Sequence, residues 1–122
     1  MMVFISSPYE GKPDNVTLAR RYMRYAAAMG YAPFAPHVLL DGTLDDHDPQ
    51  QRQRGMDLGL EVLIKCCELL VVCGPHTSPG MLREMNIATQ YGIAIGTISQ
   101  DDLETWEQVT VNGRVEDERK KG

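Results

Sequence analysis

The chain is poor in the residues that mark several large functional classes. It has three cysteines, Cys66, Cys67 and Cys73, an odd number. They sit in or beside apolar runs and lack metal-ligand spacing, so they read as reduced small hydrophobes and not as a disulfide framework. No segment approaches the roughly 18 consecutive apolar residues of a membrane-spanning helix. The N-terminus, MMVFISSPYEG, has no basic region ahead of an apolar run, which argues against a signal peptide. Basic excess is also missing: 12 Lys and Arg stand against 17 Asp and Glu, a net charge of -5. A general nucleic-acid surface wants a basic face, so no nucleic-acid polymer is expected as a partner. No G-x-G-x-x-G follows the first apolar run and no Walker lysine loop occurs, which argues against a dinucleotide redox cofactor and NTPase chemistry. Repeats and low-complexity segments are absent. The expectation is a cytoplasmic protein with no membrane partner.

What is present fits one domain with a single core: 122 residues, 43% hydrophobic and 24% charged. Met2–Ser6 is a short apolar run closed by Ser-Ser-Pro, a strand followed by a loop. Asp14 is placed as a helix cap, and Asn15–Met29 is helical, with Ala19, Tyr22, Met23 and Ala26 forming the stripe. Gly30 stops it, and a short strand follows at Tyr31–Ala35. Residues 36–49 form a long acidic connection. Asp48-Pro49-Gln50-Gln51 is a helix start with an Asp cap and Pro at the first position. That helix runs to about Cys67, with Glu61 and Lys65 spaced as an i,i+4 pair. Leu69–Cys73 suits a central parallel strand. Ile93–Ile98 is a further buried strand, Asp101–Gln108 a short helix, and Asn112-Gly113 a hairpin signal. Asp117–Gly122 should fray. The order predicts an α/β domain: a small doubly wound, Rossmann-like parallel sheet of about four to five strands flanked by helices.

The stretch Glu68–Gly92, ELLVVCGPHTSPGMLREMNIATQYG, holds the most unusual residue. With Ser78 as cap and Pro79 at the first helical position, Met81, Leu82, Met85, Ile87, Ala88 and Tyr91 share one broad apolar side. Glu84 falls inside that arc. It lies too far along for a capping box, which would want the acid at Met81. An inward carboxylate near a helix N-terminus either has a buried partner, such as a core arginine or a backbone amide, or borders a ligand cleft.

Parallel pairing would put the loop from Ser6 to Pro13 at the carboxyl edge of the first strand, where open α/β sheets bind ligands. Ser6, Ser7 and Tyr9 are therefore candidate ligand contacts, with plain turn chemistry as the alternative. His37, just after the second strand at the presumed active edge, is a candidate to hydrogen-bond a ligand, with an ordinary loop histidine as the leading alternative. Asp45, Asp46 and His47 look like a metal cluster, but capping accounts for Asp48, and the others read as solvated; no metal is expected. Asp57 reads as part of a solvated face.

Three segments, VFISSPY, YAPFAPH and ELLVVCGPHTSPGMLREMNIATQYGI, together resemble the nucleoside 2-deoxyribosyltransferase superfamily, and in particular small bacterial and phage domains related to it. The resemblance covers about residues 2–98. It implies a deoxyribosyltransferase-like domain over 1–100 and a C-terminal extension over 101–122. It also implies that Glu84 is the nucleophile, because it matches the family's inward glutamate. Ser78 resembles the nucleoside 5′-monophosphate N-glycosidase branch, whereas members acting on free nucleosides carry Asp there. A serine cap and free amides favour an anion, so Ser78, Gly80 and Met81 would hold a phosphate or sugar. The implied partner is a nucleotide or nucleoside, cleaved at its N-glycosidic bond by hydrolysis or deoxyribosyl transfer. No metal or organic cofactor is implied, and a homodimer or higher homo-oligomer is. Two positions depart from the pattern. Phe4 stands where members often have a tyrosine bonded to the nucleophile, and Leu60 where they have an aspartate. A binding module without turnover, or a structural protein with Glu84 paired in its core, are the competing readings.

Overall fold

A computed structural model describes residues 1–10 and 12–121, with side chains up to Thr110. The strands are β1 (Met2–Ser6), β2 (Ala32–Phe34), β3 (Leu69–Cys73) and β4 (Ala94–Ile98). The helices are α1 (Pro13–Ala28), α2 (Pro36–Leu39), α3 (Pro49–Cys66), α4 (Pro79–Gln90) and α5 (Gln100–Lys121). The strands form one sheet in the order β2-β1-β3-β4, and every pairing is parallel. The expected doubly wound α/β fold is therefore present.

β1 and β3 are interior strands buried on both faces, which explains their unbroken apolar runs. Side chains alternate across the sheet. Val3 and Ile5 enter a core with Ala19, Tyr22 and Ala26 of α1 and Leu103 of α5. Phe4 points the other way, into a core with Leu63 of α3, Leu70 of β3 and Ala88 of α4. The strand order reverses between β1 and β3: the chain leaves β1 for β2 on one side and later returns to β3 on the other. At such a switch point open α/β sheets commonly bind ligands, at the carboxyl ends of the strands.

Two close approaches shape that edge. Gly74, at the end of β3, has φ +103°, and a Cβ there would lie 2.7 Å from Pro8 Cδ. Only glycine lets the loop after β1 pack onto this turn. On the far side, a Cβ on Gly59 of α3 would lie 3.1 Å from Pro36 Cβ, so α3 presses directly on α2.

Several expectations need correction. Asp14 does not cap α1. The helix begins at Pro13 with Lys12 as the capping position and no side-chain cap; the fixed φ of Pro13 sets the start, and Asp14 sits in the first turn, where the dipole favours it. The connection after β2 is not wholly irregular, since α2 forms at once, led by Pro36. The apolar face of α4 is narrower than its helical wheel: Met81 and Ala88 are buried, but Leu82 and Tyr91 are 52% and 59% exposed. With four strands, the sheet ends at β4 and covers one stripe of that helix. The short helix expected at Asp101–Gln108 continues through Asn112-Gly113 as α5. An Asn-Gly pair makes a hairpin when its flanks find a sheet, and a lone two-stranded ribbon is marginal. Helix propagation from the Ser99 cap, whose hydroxyl accepts the Asp102 N–H at 3.0 Å, prevails here. The fraying expected of Asp117–Gly122 concerns side chains and a terminus outside the described residues.

The local expectations for the α3 cap, the Glu61–Lys65 pair and the cysteines hold. Asp48 caps α3 by accepting the Gln50 N–H at 3.0 Å and the Gln51 amide at 3.0 Å. The Glu61–Lys65 pair forms at 2.6 Å. The three cysteines are free, with Cys67 and Cys73 buried and Cys66 exposed. Among the described residues, no helix is long and apolar enough to cross a membrane, and no three His, Cys, Asp or Glu side chains are grouped to hold a metal ion.

Candidate active site

Glu84 lies one turn into α4, on the side turned toward the end of β1. Its carboxylate is half-buried. The Ser6 hydroxyl, fully buried, donates to Glu84 Oε1 at 2.8 Å. The partner of this inward charge is thus a serine, neither a core arginine nor a backbone amide. Burial raises the Glu84 pKa to about 7, against the opposing effects of the Ser6 hydrogen bond and the nearby Arg83 charge. A carboxyl poised near neutrality in a crevice is a mark of functional sites.

Strand alternation sets the side of the sheet that Ser6 faces. Phe4 and Ser6 are two residues apart on a strand and therefore share a face. Phe4 offers no hydroxyl to the carboxylate: it is fully buried and its ring packs 5.6 Å from that of Phe34. Ser6, one pleat nearer the carboxyl edge, donates to the carboxylate instead.

The next residues build a second cluster. Ser7 Oγ and His37 Nε2 are 3.2 Å apart. The Tyr9 and His37 rings stack at 5.1 Å and 18°. Burial lowers the His37 pKa to about 4, so the imidazole is neutral at neutral pH. The parallel register of β1 and β2 brings the start of α2 beside the loop after β1. Ser6, Ser7, Tyr9, His37 and Glu84, picked from separate stretches of sequence, thus gather around the carboxyl end of β1.

Ser78 caps α4 as expected, and that cap engages the Met81 amide. Ser78 Oγ accepts the Met81 N–H at 3.2 Å, and the Ser78 N–H points to Met81 Sδ at 3.3 Å. Met81 therefore fills the position a capping box gives to an acid, with its thioether as a weak acceptor. Ser78 and Met81 are both buried, and the Met81 amide is committed to the cap. The hydrogen of the Ser78 hydroxyl remains available to donate. Gly80 is exposed at the second helical position.

Asp57 stays outside the crevice: it is exposed and accepts from the Gln53 side chain at 2.9 Å. Leu60 packs into the core on the α3 side. Two contacts not foreseen from the sequence border the site. His76 Nε2 lies 2.9 Å from Glu10 Oε1, joining the loop before α4 to the loop after β1. Arg83 Nη1 lies 3.7 Å from Met56 Sδ on α3. Neither pairing had a local sequence signal, because the partners are brought together by the sheet order. Two surface grooves, of about 500 and 380 Å³, run along α3 and touch neither Glu84 nor the Ser7–His37 cluster.

Comparison with known proteins agrees with this architecture. A solved 2-deoxyribosyltransferase from the psychrotolerant bacterium Bacillus psychrosaccharolyticus superposes with a TM-score of 0.66, at 12% identity, over 81% of this chain and 72% of that one. At such identity the likeness is one of fold. The comparison with curated proteins returned no match. The family model described as "Domain of unknown function (DUF7768)" matches residues 1–98, from β1 through β4, and the chain belongs to that family.

Proposed function

We propose that this protein cleaves the N-glycosidic bond of a nucleoside 5′-monophosphate or a related (deoxy)nucleoside, by hydrolysis or deoxyribosyl transfer, with Glu84 as the nucleophile. The observation that carries this reading is the half-buried Glu84 carboxylate held by the Ser6 hydroxyl at 2.8 Å, at the carboxyl end of β1 beside β3. A carboxylate suits both halves of the reaction. It stabilises an oxocarbenium-like transition state electrostatically, then bonds to the anomeric carbon as a glycosyl ester. The Ser6 hydrogen bond fixes one oxygen and lowers the pKa of a group that burial raises, which favours the ionised, attacking form. The hydroxyl of Ser78 and the amide of Gly80 are the donors we assign to the substrate's phosphate, at the positive end of α4. Ser7, Tyr9 and His37 line the opposite wall. The deoxyribosyltransferase fold of the structural neighbour supports the reading.

The test is incubation with a panel of ribo- and deoxyribonucleoside 5′-monophosphates, with release of free base followed by chromatography. Base release that disappears in Glu84→Gln is the expected result. Release at the wild-type rate in that variant refutes Glu84 as the nucleophile. A second reading, a binding module that holds the nucleotide without turnover, draws on the placement of Asp57 and Leu60. Neither supplies an acid to the crevice. A nucleotide-induced rise in melting temperature with no product would favour it.

A further inference from the structure

Cleavage of an ordinary nucleoside needs two things at once: a nucleophile or cation stabiliser at C1′, and a proton donor for the departing base. A positioned acid is commonly worth about 10²–10⁴ in rate. The crevice has the first in Glu84. Among the described residues, the groups that would act as the second are turned away or committed. Asp57 is exposed on α3 and bonded to Gln53. Glu10 is paired at the rim with His76 and Lys12. His37 faces Ser7 through Nε2 and stacks on Tyr9. Its burial disfavours the imidazolium form that a donor would need. Tyr9 is committed to its stack on His37.

We propose that the site takes N-glycosides whose leaving base already carries a positive charge, of the pyridinium N-riboside 5′-phosphate class. Glu84 supplies the nucleophile, and the stacked Tyr9–His37 pair offers the cationic ring a π face. The inference rests on the N-glycosidase reading above and narrows its substrate. Such a base needs no proton. One Glu84 oxygen bonds to C1′ as the C1′–N bond breaks. The bonding pair moves onto the pyridinium nitrogen, and the base leaves neutral. Water oxygen then bonds to C1′, the ester bond returns its pair to the carboxylate, and the water proton passes to solvent. The cationic ring is also favoured on entry. A half-buried carboxylate attracts it, and an aromatic face within about 6 Å binds a cation through its quadrupole.

The experiment compares nicotinamide mononucleotide with AMP and dAMP under one set of conditions, each corrected for its spontaneous rate. Free base is measured for wild type, Glu84→Gln and Tyr9→Leu. The expected result is kcat/KM for the pyridinium substrate at least about 100-fold above either adenine nucleotide, the size of a missing general acid. Tyr9→Leu should raise KM for nicotinamide mononucleotide by about 2- to 30-fold, the range of a cation–π contact. Glu84→Gln should abolish release. Cleavage of AMP or dAMP within about tenfold of the pyridinium substrate would overturn this proposal and leave the N-glycosidase reading standing. An unchanged KM in a folded Tyr9→Leu variant would overturn the assigned π face. No base from any of the three would overturn this proposal, and the wider nucleotide panel then decides the N-glycosidase reading by itself.

Discussion

Replacing Glu84 by glutamine should destroy activity and stabilise the protein, by an amount that depends on pH. Burial carries the carboxyl from an ordinary 4.5 to about 7. At about 1.36 kcal/mol per pH unit, the ionised form therefore costs up to about 3 kcal/mol of folding stability. Between those two pH values the folded carboxyl keeps its proton while the unfolded one has lost it. Stability thus falls as pH rises from about 4.5 to about 7, and the penalty stays constant above that. Glutamine keeps the size and the acceptor oxygen for Ser6 but never ionises. The variant should match wild type near pH 4.5 and exceed it by up to about 3 kcal/mol at pH 8. For a domain of this size, that is on the order of 10 °C in melting temperature.

His37 acts with the opposite sign. Its pKa falls from 6.5 to about 4, so the folded form resists protonation, and stability is lost as pH drops through that window. In wild type the two slopes nearly cancel between about pH 4.5 and 6.5, and the stability profile should be flat there. Urea unfolding of wild type and Glu84→Gln across pH 4–8 separates them, because the His37 contribution is common to both. A stability difference that does not grow with pH would show that Glu84 is solvated, and would remove the physical ground for calling it poised.

Two further outcomes are expected. Ser6→Ala removes the hydrogen bond that lowers the Glu84 pKa, so the carboxyl should titrate at still higher pH. Carbon-detected NMR of the Glu84 carboxyl reads this directly, and an unchanged titration would show that the 2.8 Å contact does not persist in solution. Tyr22→Phe should be neutral or stabilising by about 1 kcal/mol in chemical denaturation. The hydroxyl is buried near the Gly74 backbone, yet meets no hydrogen-bond geometry among the described residues. A loss above about 1 kcal/mol would mean that the Gly74 bond forms after all.

The amino-acid pattern alone determined much of this molecule, because its strongest signals are local. β1 and β3 were legible to the residue from apolar runs bounded by turn chemistry, as were the starts of α3 and α4 from their Asp-Pro and Ser-Pro caps. A carboxylate inside the apolar arc of α4 was visible from the wheel, and its cost is the same whatever surrounds it. What surrounds Glu84 was decided by tertiary structure. Ser6 lies 78 positions away in sequence and reaches the carboxylate only because β3 pairs beside β1, putting α4 over the end of the first strand. The pairing of β2 on the other side of β1 set Tyr9 against His37. The α4 cap tied the Ser78 hydroxyl to the Met81 amide, so that the helix terminus expected to be open is partly closed by its own residues. Helical and strand periods state which face a residue occupies. Only the sheet order states what that face meets, and for this chain that turned a misplaced charge into a carboxyl poised near neutrality.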